Sequence, residues 1–250
     1  MPVIIDADIL AYQIALECSE YTEFEDEVWV NWADAKLGKR MVDERIERIK
    51  ETTNQDRAIL CLSDTANFRM VFCETYKSNR AGKTPPMILK PLREYMLSEL
   101  KALRWDGMEG DDVIGILATG EFKDDHVIFS LDKDLRTIPG THWSDWRHSA
   151  DEGCCITVTP EEARKTFFKQ ILTGDTVDGY KGCPGVGPVK ADKMLSEDCS
   201  WQTIVTAYEK AGLTEEDALV QARLAFILHA SHVDRGIITP WVPEEYYNER

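Results

Sequence analysis

The sequence predicts an α/β fold in which a mostly parallel sheet is flanked by helices. Three short apolar runs, at residues 3–5, 58–62 and 127–131, have the composition of buried strands. Amphipathic stretches at residues 32–50 and 87–103 separate these runs and are predicted as helices. Because strands alternate with helices, we expect a ligand site beyond the carboxyl ends of the strands.

The pattern becomes mainly helical after about residue 151. Four further helices are predicted, at residues 160–172, 188–196, 201–211 and 214–230. We therefore predict two domains, a sheet-containing domain over residues 1–150 and a smaller helical lobe over residues 151–250.

The composition limits the classes of function. The 250 residues are 43% hydrophobic, and no segment approaches the roughly 20 consecutive apolar residues of a membrane span. The first residues lack a basic stretch and carry aspartates, so no secretory signal is predicted and a cytoplasmic protein is expected. The seven cysteines show no CxxC spacing, which favours free buried thiols over disulfides or a zinc site.

The net charge of −16 has the wrong sign for a module that simply coats nucleic acid. If many of the acids instead hold divalent cations, the ions cancel part of that charge where a phosphate must approach. The charge therefore directs attention to clustered carboxylates.

Carboxylates follow each of the three predicted strands, and another set precedes a predicted helix that would begin at the same edge of the sheet. A single acid at such a place more often caps a turn or a helix, but the coincidence of all of them favours bound cations. All-oxygen ligands select Mg²⁺ or Mn²⁺. The expected acids are Asp6, Asp64, Glu109, Asp111, Asp112, Asp132 and Asp134, with Asp175 and Asp178 as a further pair one helical turn apart.

A glycine-rich turn at residues 182–188 precedes a predicted helix, with Pro188 suited to its first position. Backbone amides at such a helix start can hold a phosphate without side-chain charge, although an ordinary interhelical turn has the same pattern.

Five motifs in this order resemble one known family. They are Asp6, the Phe68-Arg69 and 76–80 run after Asp64, the helix start at 109–115, the segment 130–135, and the stretch 174–187. Together they resemble the 5′ nuclease family, which includes flap endonucleases, the 5′ nuclease domain of bacterial DNA polymerase I and the stand-alone exonucleases of short-tailed phages. The resemblance covers roughly residues 1–200, and the stretch 212–241 is most similar to the phage enzymes.

The resemblance implies a PIN-like α/β domain, a helix-hairpin-helix lobe and two ions of Mg²⁺ or Mn²⁺, with K⁺ as a candidate at the hairpin. It implies that Asp6, Asp64, Glu109, Asp111 and Asp112 serve the first ion, and Asp132, Asp134, Asp175 and Asp178 the second. Basic residues of the motifs, Arg69, Lys77 and Arg80, would bind and orient the scissile phosphate. The implied DNA contacts are Tyr76, Gly182, Gly185, Val186, Gly187 and Lys190, and the family usually has a neutral residue in place of Asp8.

The implied activity is hydrolysis of phosphodiesters at 5′ ends of duplex DNA and at flaps, in replication, recombination or host DNA degradation. RNA–DNA hybrids are further candidate substrates, replication proteins are candidate partners, and no membrane is involved; a phage-encoded chain would act in the host cytoplasm. Three alternatives stay open. These are a phosphatase of the haloacid dehalogenase type with Asp6 and Asp8 in its loop, a non-catalytic DNA-junction binder, and a PIN-type ribonuclease.

Overall fold

The computed structural model describes residues 1–24, 28–80, 82–144 and 154–247. The strands in these ranges are β1 Pro2–Asp6, β2 Ser19–Phe24, β3 Val28–Ala33, β4 Arg57–Cys61, β5 Val127–Phe129, β6 Gly140–Ser144, β7 Cys154–Val158, β8 Val233–Asp234 and β9 Ile237–Ile238. The α-helices are α1 Ala7–Glu17, α2 Ala35–Thr53, α3 Leu89–Ser98, α4 Gly110–Thr119, α5 Pro160–Thr173, α6 Pro188–Glu197, α7 Trp201–Lys210 and α8 Glu215–Ala225.

The central sheet has the strand order β4-β1-β5-β6-β7. Strands β4, β1, β5 and β6 run parallel, and only the edge strand β7 is antiparallel to its neighbour among these five. Ile4 in the centre is paired with Ile59 of β4 and Ile128 of β5. The predicted mostly parallel α/β sheet is therefore confirmed.

Strand β1 is buried along its whole length because helices cover both of its faces. Val3 and Ile5 point into an apolar cluster formed with α1, α2 and α3. Ile4 points into a second cluster, which α4 and the C-terminal helices complete. Such continuous burial explains why this strand has no polar alternation in its sequence.

Helix α2 is shifted by three residues from its predicted range, and helix α3 is shorter than predicted. Asp34 caps α2 through bonds from the backbone N–H groups of Lys36 and Leu37, so the helix begins after residue 34 and the preceding residues form β3. Helix α3 ends at Ser98, and the backbone of Leu103 bonds with Leu60 and Leu62 at the sheet. The apolar residue 103 is thus partly buried beside β4 and does not belong to a helical stripe.

The helical part of the chain shares its core with the sheet. Strand β7 lies beyond the predicted domain boundary at residue 150, yet it pairs with β6. One apolar cluster contains Ile4 of β1 together with Phe167 of α5 and Trp201 of α7. The division into two domains stays a prediction, and in the described ranges no helix is long and apolar enough to cross a membrane.

Candidate active site

A cleft of about 930 Å³ opens at the carboxyl edge of the parallel strands. Strand β1 ends at Asp6, the loop after β4 carries Asp64, and the loop after β5 carries Asp132. Helix α4 begins at the same edge, as βα geometry predicts. Eight of the nine predicted acids line this cleft, and we call them the acid group: Asp6, Asp64, Glu109, Asp111, Asp132, Asp134, Asp175 and Asp178.

The innermost carboxylates repel one another. Burial, followed by the charge of Asp132, raises the pKa of Asp6 to about 6. Burial and the charges of Asp6 and Asp132 raise the pKa of Asp111 well above its usual range. Burial and the charge of Asp132 likewise raise the pKa of Asp134 to about 6. A divalent cation among these oxygens would relieve this cost, so the donor set suits a hard ion.

The same oxygens are at present bonded to nearby N–H and O–H groups. Asp6 Oδ2 accepts from the Ser130 hydroxyl at 2.8 Å, and Asp132 Oδ1 accepts from the Asp134 N–H at 2.8 Å. Within the described residues no three acid, histidine or cysteine side chains already stand close enough to chelate one ion. Binding of a divalent ion here would require the carboxylates to move towards one another and to give up some of these bonds.

The side chains of Lys77 and Tyr76 lie between those of Glu109 and Asp178 and contact both. The Lys77 ammonium pairs with Glu109 and lies 3.4 Å from Asp178 Oδ2, while the Tyr76 hydroxyl donates to Glu109 at 3.0 Å and to Asp178 at 3.2 Å. Burial raises the pKa of Glu109, but the charges of Arg69 and Lys77 outweigh it and hold that pKa below its usual value. Glu109 is therefore kept ionised by its partners.

Arg69 and Asp112 form a buried ion pair. The five N–H donors of Arg69 meet five acceptors: two oxygens of Asp112, one of Glu109, and the carbonyls of Leu224 and Phe226. Asp112 is fully buried and also accepts from the N–H groups of Glu109 and Leu228. These bonds occupy all five donors of Arg69 and both oxygens of Asp112, so in this structure neither is free for the role predicted from the sequence, and Asp112 as an ion ligand and Arg69 as a phosphate contact stay predictions.

Asp8 belongs to the cleft although the sequence-based reasoning left it out. It pairs with Arg93 of α3, and its Oδ2 accepts from the Ser63 N–H at 2.7 Å. Arg93 also donates to the Ser63 carbonyl oxygen. The position of Asp8 two residues after Asp6, in the first turn of the helix that follows β1, was the available signal for a side chain at this edge.

The glycine-rich turn leads into α6, whose first residue, Pro188, lines the cleft. Gly182 and Gly185 have φ angles of 66° and 73°, which favour glycine. The N–H of Gly182 donates to Gln221 and that of Val186 to Cys183, so these two amides are already used. Gly187 precedes α6 without a side-chain cap, and Lys190 Nζ lies 3.2 Å from the carbonyl oxygen of Gly185.

Arg80 is the last residue of a short 3₁₀ helix, Ser78–Arg80, and its side chain is outside the described part of the structure. Its role as a contact of the scissile phosphate stays a prediction.

The fold and the cleft define an α/β enzyme with an acidic site beyond the carboxyl ends of parallel strands. The model of the 5′-3′ exonuclease N-terminal resolvase-like domain matches residues 3–167. The chain belongs to the 5′-3′ exonuclease family, as its sequence motifs predicted.

Curated relatives extend the similarity over nearly the whole chain. An exodeoxyribonuclease of Enterobacteria phage T3 is 27% identical over 96% of this chain and 92% of its own length. An exonuclease of Escherichia phage T7 is 27% identical over 90% of this chain and 87% of its own. A solved structure of the bacteriophage T5 flap endonuclease with DNA and metal ions has a TM-score of 0.66 at 14% identity, covering 90% of this chain and 88% of that one. This last likeness establishes the fold alone.

Proposed function

We propose that this enzyme hydrolyses DNA phosphodiesters at 5′ ends and 5′ flaps with divalent cations bound by the acid group. One observation carries the proposal: eight acids from separate segments of the chain line one cleft at the carboxyl edge of the sheet. The phage relatives that are named exonucleases, and the fold shared with a flap endonuclease bound to DNA and metal ions, support the choice of substrate.

The electrostatic neighbours suggest how the acids divide between two ions. After burial, the charges of Asp6 and Asp132 raise the pKa of Asp111, so we assign these three acids and Glu109 to the first ion. After burial, the charges of Asp132 and Asp175 raise the pKa of Asp134, so we assign Asp134, Asp175 and Asp178 to the second ion. The charge of Asp132 acts on a member of each set, on Asp111 and on Asp134. The pKa of Asp64 is lowered by the N–H of Gly107, and we assign this carboxylate to the first ion as well.

When bound, Mg²⁺ or Mn²⁺ ions would supply an activated water and stabilise the charge on the leaving 3′ oxygen. The chain itself contributes Lys77, whose ammonium has three donors and uses two of them on Glu109 and Asp178. The third can donate to a nonbridging phosphate oxygen. Tyr76 fixes the same two carboxylates and so orients them, while Arg80 is proposed as a second phosphate contact.

The duplex next to the cleaved strand is proposed to contact the glycine-rich turn, residues 182–188, that leads into α6. Its uncapped helix start at Gly187 can receive a backbone phosphate. K⁺ at this turn is also proposed, although it must compete with the Lys190 ammonium near the Gly185 carbonyl. Action on RNA–DNA hybrids, contacts with replication proteins and a location in the cytoplasm are part of the same proposal.

The test compares Asp132→Asn with Asp56→Asn, an exposed aspartate outside the cleft, on 5′-labelled duplex, flap and RNA–DNA hybrid substrates. With Mg²⁺ the wild type and Asp56→Asn should release labelled products, whereas EDTA should abolish release. Asp132→Asn should lose on the order of 10²-fold or more in rate while it retains binding of the labelled DNA. Undiminished cleavage by Asp132→Asn would contradict the assignment of the acid group.

Membership of the family does not support the phosphatase alternative, and Asp8 is engaged by Arg93 and Ser63 instead of being free to act as an acid. Turnover of a chromogenic phosphomonoester that Asp132→Asn leaves unchanged would favour that alternative. Binding of junction DNA with no cleavage by the wild type would favour the non-catalytic one, and preferential cleavage of labelled RNA would favour a PIN-type ribonuclease.

A further inference from the structure

A second cavity of about 900 Å³ lies between α5 and the C-terminal segment of the chain. Its volume is in the range of sites that bind small molecules. None of the described residues that line it also lines the catalytic cleft. We call it the aromatic pocket, because rings line it: Phe167, Trp201, Phe226, His229, His232 and Trp241.

The rings of the aromatic pocket hold one another in place. Phe167 packs edge-on against Phe226 and against Trp241, with ring centroids 5.3 and 5.2 Å apart, and Trp241 packs in the same way on Trp201 at 5.2 Å. Phe167, Phe226 and Trp201 are buried, whereas Trp241 is only partly buried. The pocket therefore offers a preformed aromatic surface to a flat ligand.

Two uncharged histidines give the pocket polar groups. Burial, followed by the charge of His232, lowers the pKa of His229 to about 4, and burial also lowers the pKa of His232. His232 Nδ1 lies 3.2 Å from the Ser231 hydroxyl oxygen, but within the described residues neither ring nitrogen of His229 has a hydrogen-bond partner. A purely apolar ligand would leave these nitrogens unpaired, whereas a heterocycle with donors and acceptors on its edge would pair them.

Arg164 supplies a cation at the edge of the pocket. Its side chain is 51% exposed, and Glu244 Oε2 lies 3.9 Å from its guanidinium. The Glu244 side chain is 87% exposed, so it can turn into water when another anion approaches Arg164. Glu161 also lines the pocket, which disfavours a ligand of high negative charge. The guanidinium is suited to a single phosphate group.

The aromatic pocket and the cleft share one thin partition, residues 224–229. Leu224 and Ile227 line the cleft, whereas Phe226 and His229 line the aromatic pocket. The carbonyl oxygens of Leu224 and Phe226 accept from Arg69 at 3.0 and 2.6 Å. A ligand in the aromatic pocket would thus contact the segment that holds Arg69 without entering the cleft.

We propose that the aromatic pocket binds a nucleoside monophosphate, with the base against the aromatic rings and His229, and the phosphate at Arg164. Every base has a flat face for the rings and polar atoms on its edge for the histidine. The inference goes beyond the proposed function, because this site requires neither the metal ions nor a DNA strand in the cleft.

Binding is tested by equilibrium dialysis of the full chain against labelled dAMP in EDTA, where no cleavage takes place. The wild type should bind dAMP saturably. Arg164→Gln should raise the Kd about 10-fold or more, the effect of one charge-assisted bond, and His229→Phe, which keeps a ring, should raise it by about 2- to 10-fold. Arg48→Gln, an exposed arginine outside both cavities, should bind as the wild type does.

Two competition experiments locate the ligand and its phosphate. Excess duplex DNA in EDTA should not displace dAMP, and Asp132→Asn should bind dAMP with the wild-type Kd, because the ligand lies outside the cleft. Deoxyadenosine, which lacks the phosphate, should bind the wild type more weakly than dAMP does and should bind Arg164→Gln and the wild type equally.

The outcomes separate this site from the proposed function, because none of these measurements depends on cleavage. Saturable binding that Arg164→Gln and His229→Phe weaken and that duplex DNA leaves unchanged would support the site. Absence of saturable binding, displacement by duplex DNA, or an unchanged Kd in both variants would overturn it. Self-association of the wild type that Arg164→Gln abolishes, without dAMP binding, would make the pocket an interface between copies of the chain and would also overturn the proposal.

Discussion

Two adjacent aspartates of α4 should respond oppositely to the same substitution. Asp112 is fully buried, and its two oxygens accept four bonds, from two nitrogens of Arg69 and from the N–H groups of Glu109 and Leu228. Asp112→Asn removes the charge opposite a buried guanidinium. Losing one partner of a buried pair costs about 3–5 kcal/mol, so we expect the free energy of unfolding to fall by roughly 4 kcal/mol.

Asp111→Asn is the matched control. Because burial and the charges of Asp6 and Asp132 raise the pKa of Asp111, its ionised form destabilises the metal-free protein at neutral pH. Replacement by asparagine should therefore leave metal-free stability unchanged or increased. The same substitution should abolish the stabilisation that Mg²⁺ gives the wild type.

The assay is urea unfolding at pH 7.5, in EDTA and in Mg²⁺. With a slope of about 3 kcal/mol per molar urea, a 4 kcal/mol loss lowers the midpoint of Asp112→Asn by roughly 1.3 M in both buffers. Asp112→Asn should retain a Mg²⁺-dependent rise in midpoint. If Asp112→Asn is as stable as the wild type in EDTA and loses only the response to Mg²⁺, then Asp112 is an ion ligand and the reasoning from the buried pair is refuted.

Two further predictions concern pH and the phosphate contact. Burial lowers the pKa of His142 to about 4, and its Nε2 lies 2.8 Å from the Ile138 carbonyl oxygen, so the neutral form contributes stability above about pH 6.5 that is lost as the pH falls towards 4. His142→Gln should reduce the loss between pH 7.5 and pH 4 by up to about 3 kcal/mol, measured by urea unfolding, and an unchanged pH profile would contradict this. Lys77→Met should lower kcat about 10²-fold on 5′-labelled duplex, because it removes the donor between Glu109 and Asp178, and a variant that changes only KM would refute a role in the reaction.

The position of the acid group could be predicted because it depends on local signals. Asp6 and Asp64 follow short apolar runs, and parallel strands bring their carboxyl ends to one edge whatever the length of chain between them. The different roles of Asp111 and Asp112 had a signal that the sequence reasoning did not use. Consecutive helix positions point about 100° apart, so two adjacent side chains cannot both face one ion equally.

The role of Arg69 had no comparable signal. Its acceptors lie 40, 43, 155 and 157 residues away in sequence, and no spacing rule connects them. The hairpin of β2 and β3 was also missed, since residues 28–33 alternate little in polarity and the helix was predicted from residue 32. Tertiary packing decides both features, and each had to be read from the structure.

The buried ion pair of Arg69 and Asp112 also bears on how a protein with a net charge of −16 can bind DNA. Arg69 is paired with Asp112 and Glu109, and Lys77 lies between Glu109 and Asp178, so the charges of both cations are largely balanced within the protein. We therefore expect bound cations to supply much of the attraction for a phosphate in this part of the cleft, which would make binding there depend on the metal. The uncapped helix start at Gly187 would hold a phosphate without the metal. We therefore expect that a DNA strand can bind at this helix start in the absence of metal and reaches the acid group only when the ions are bound.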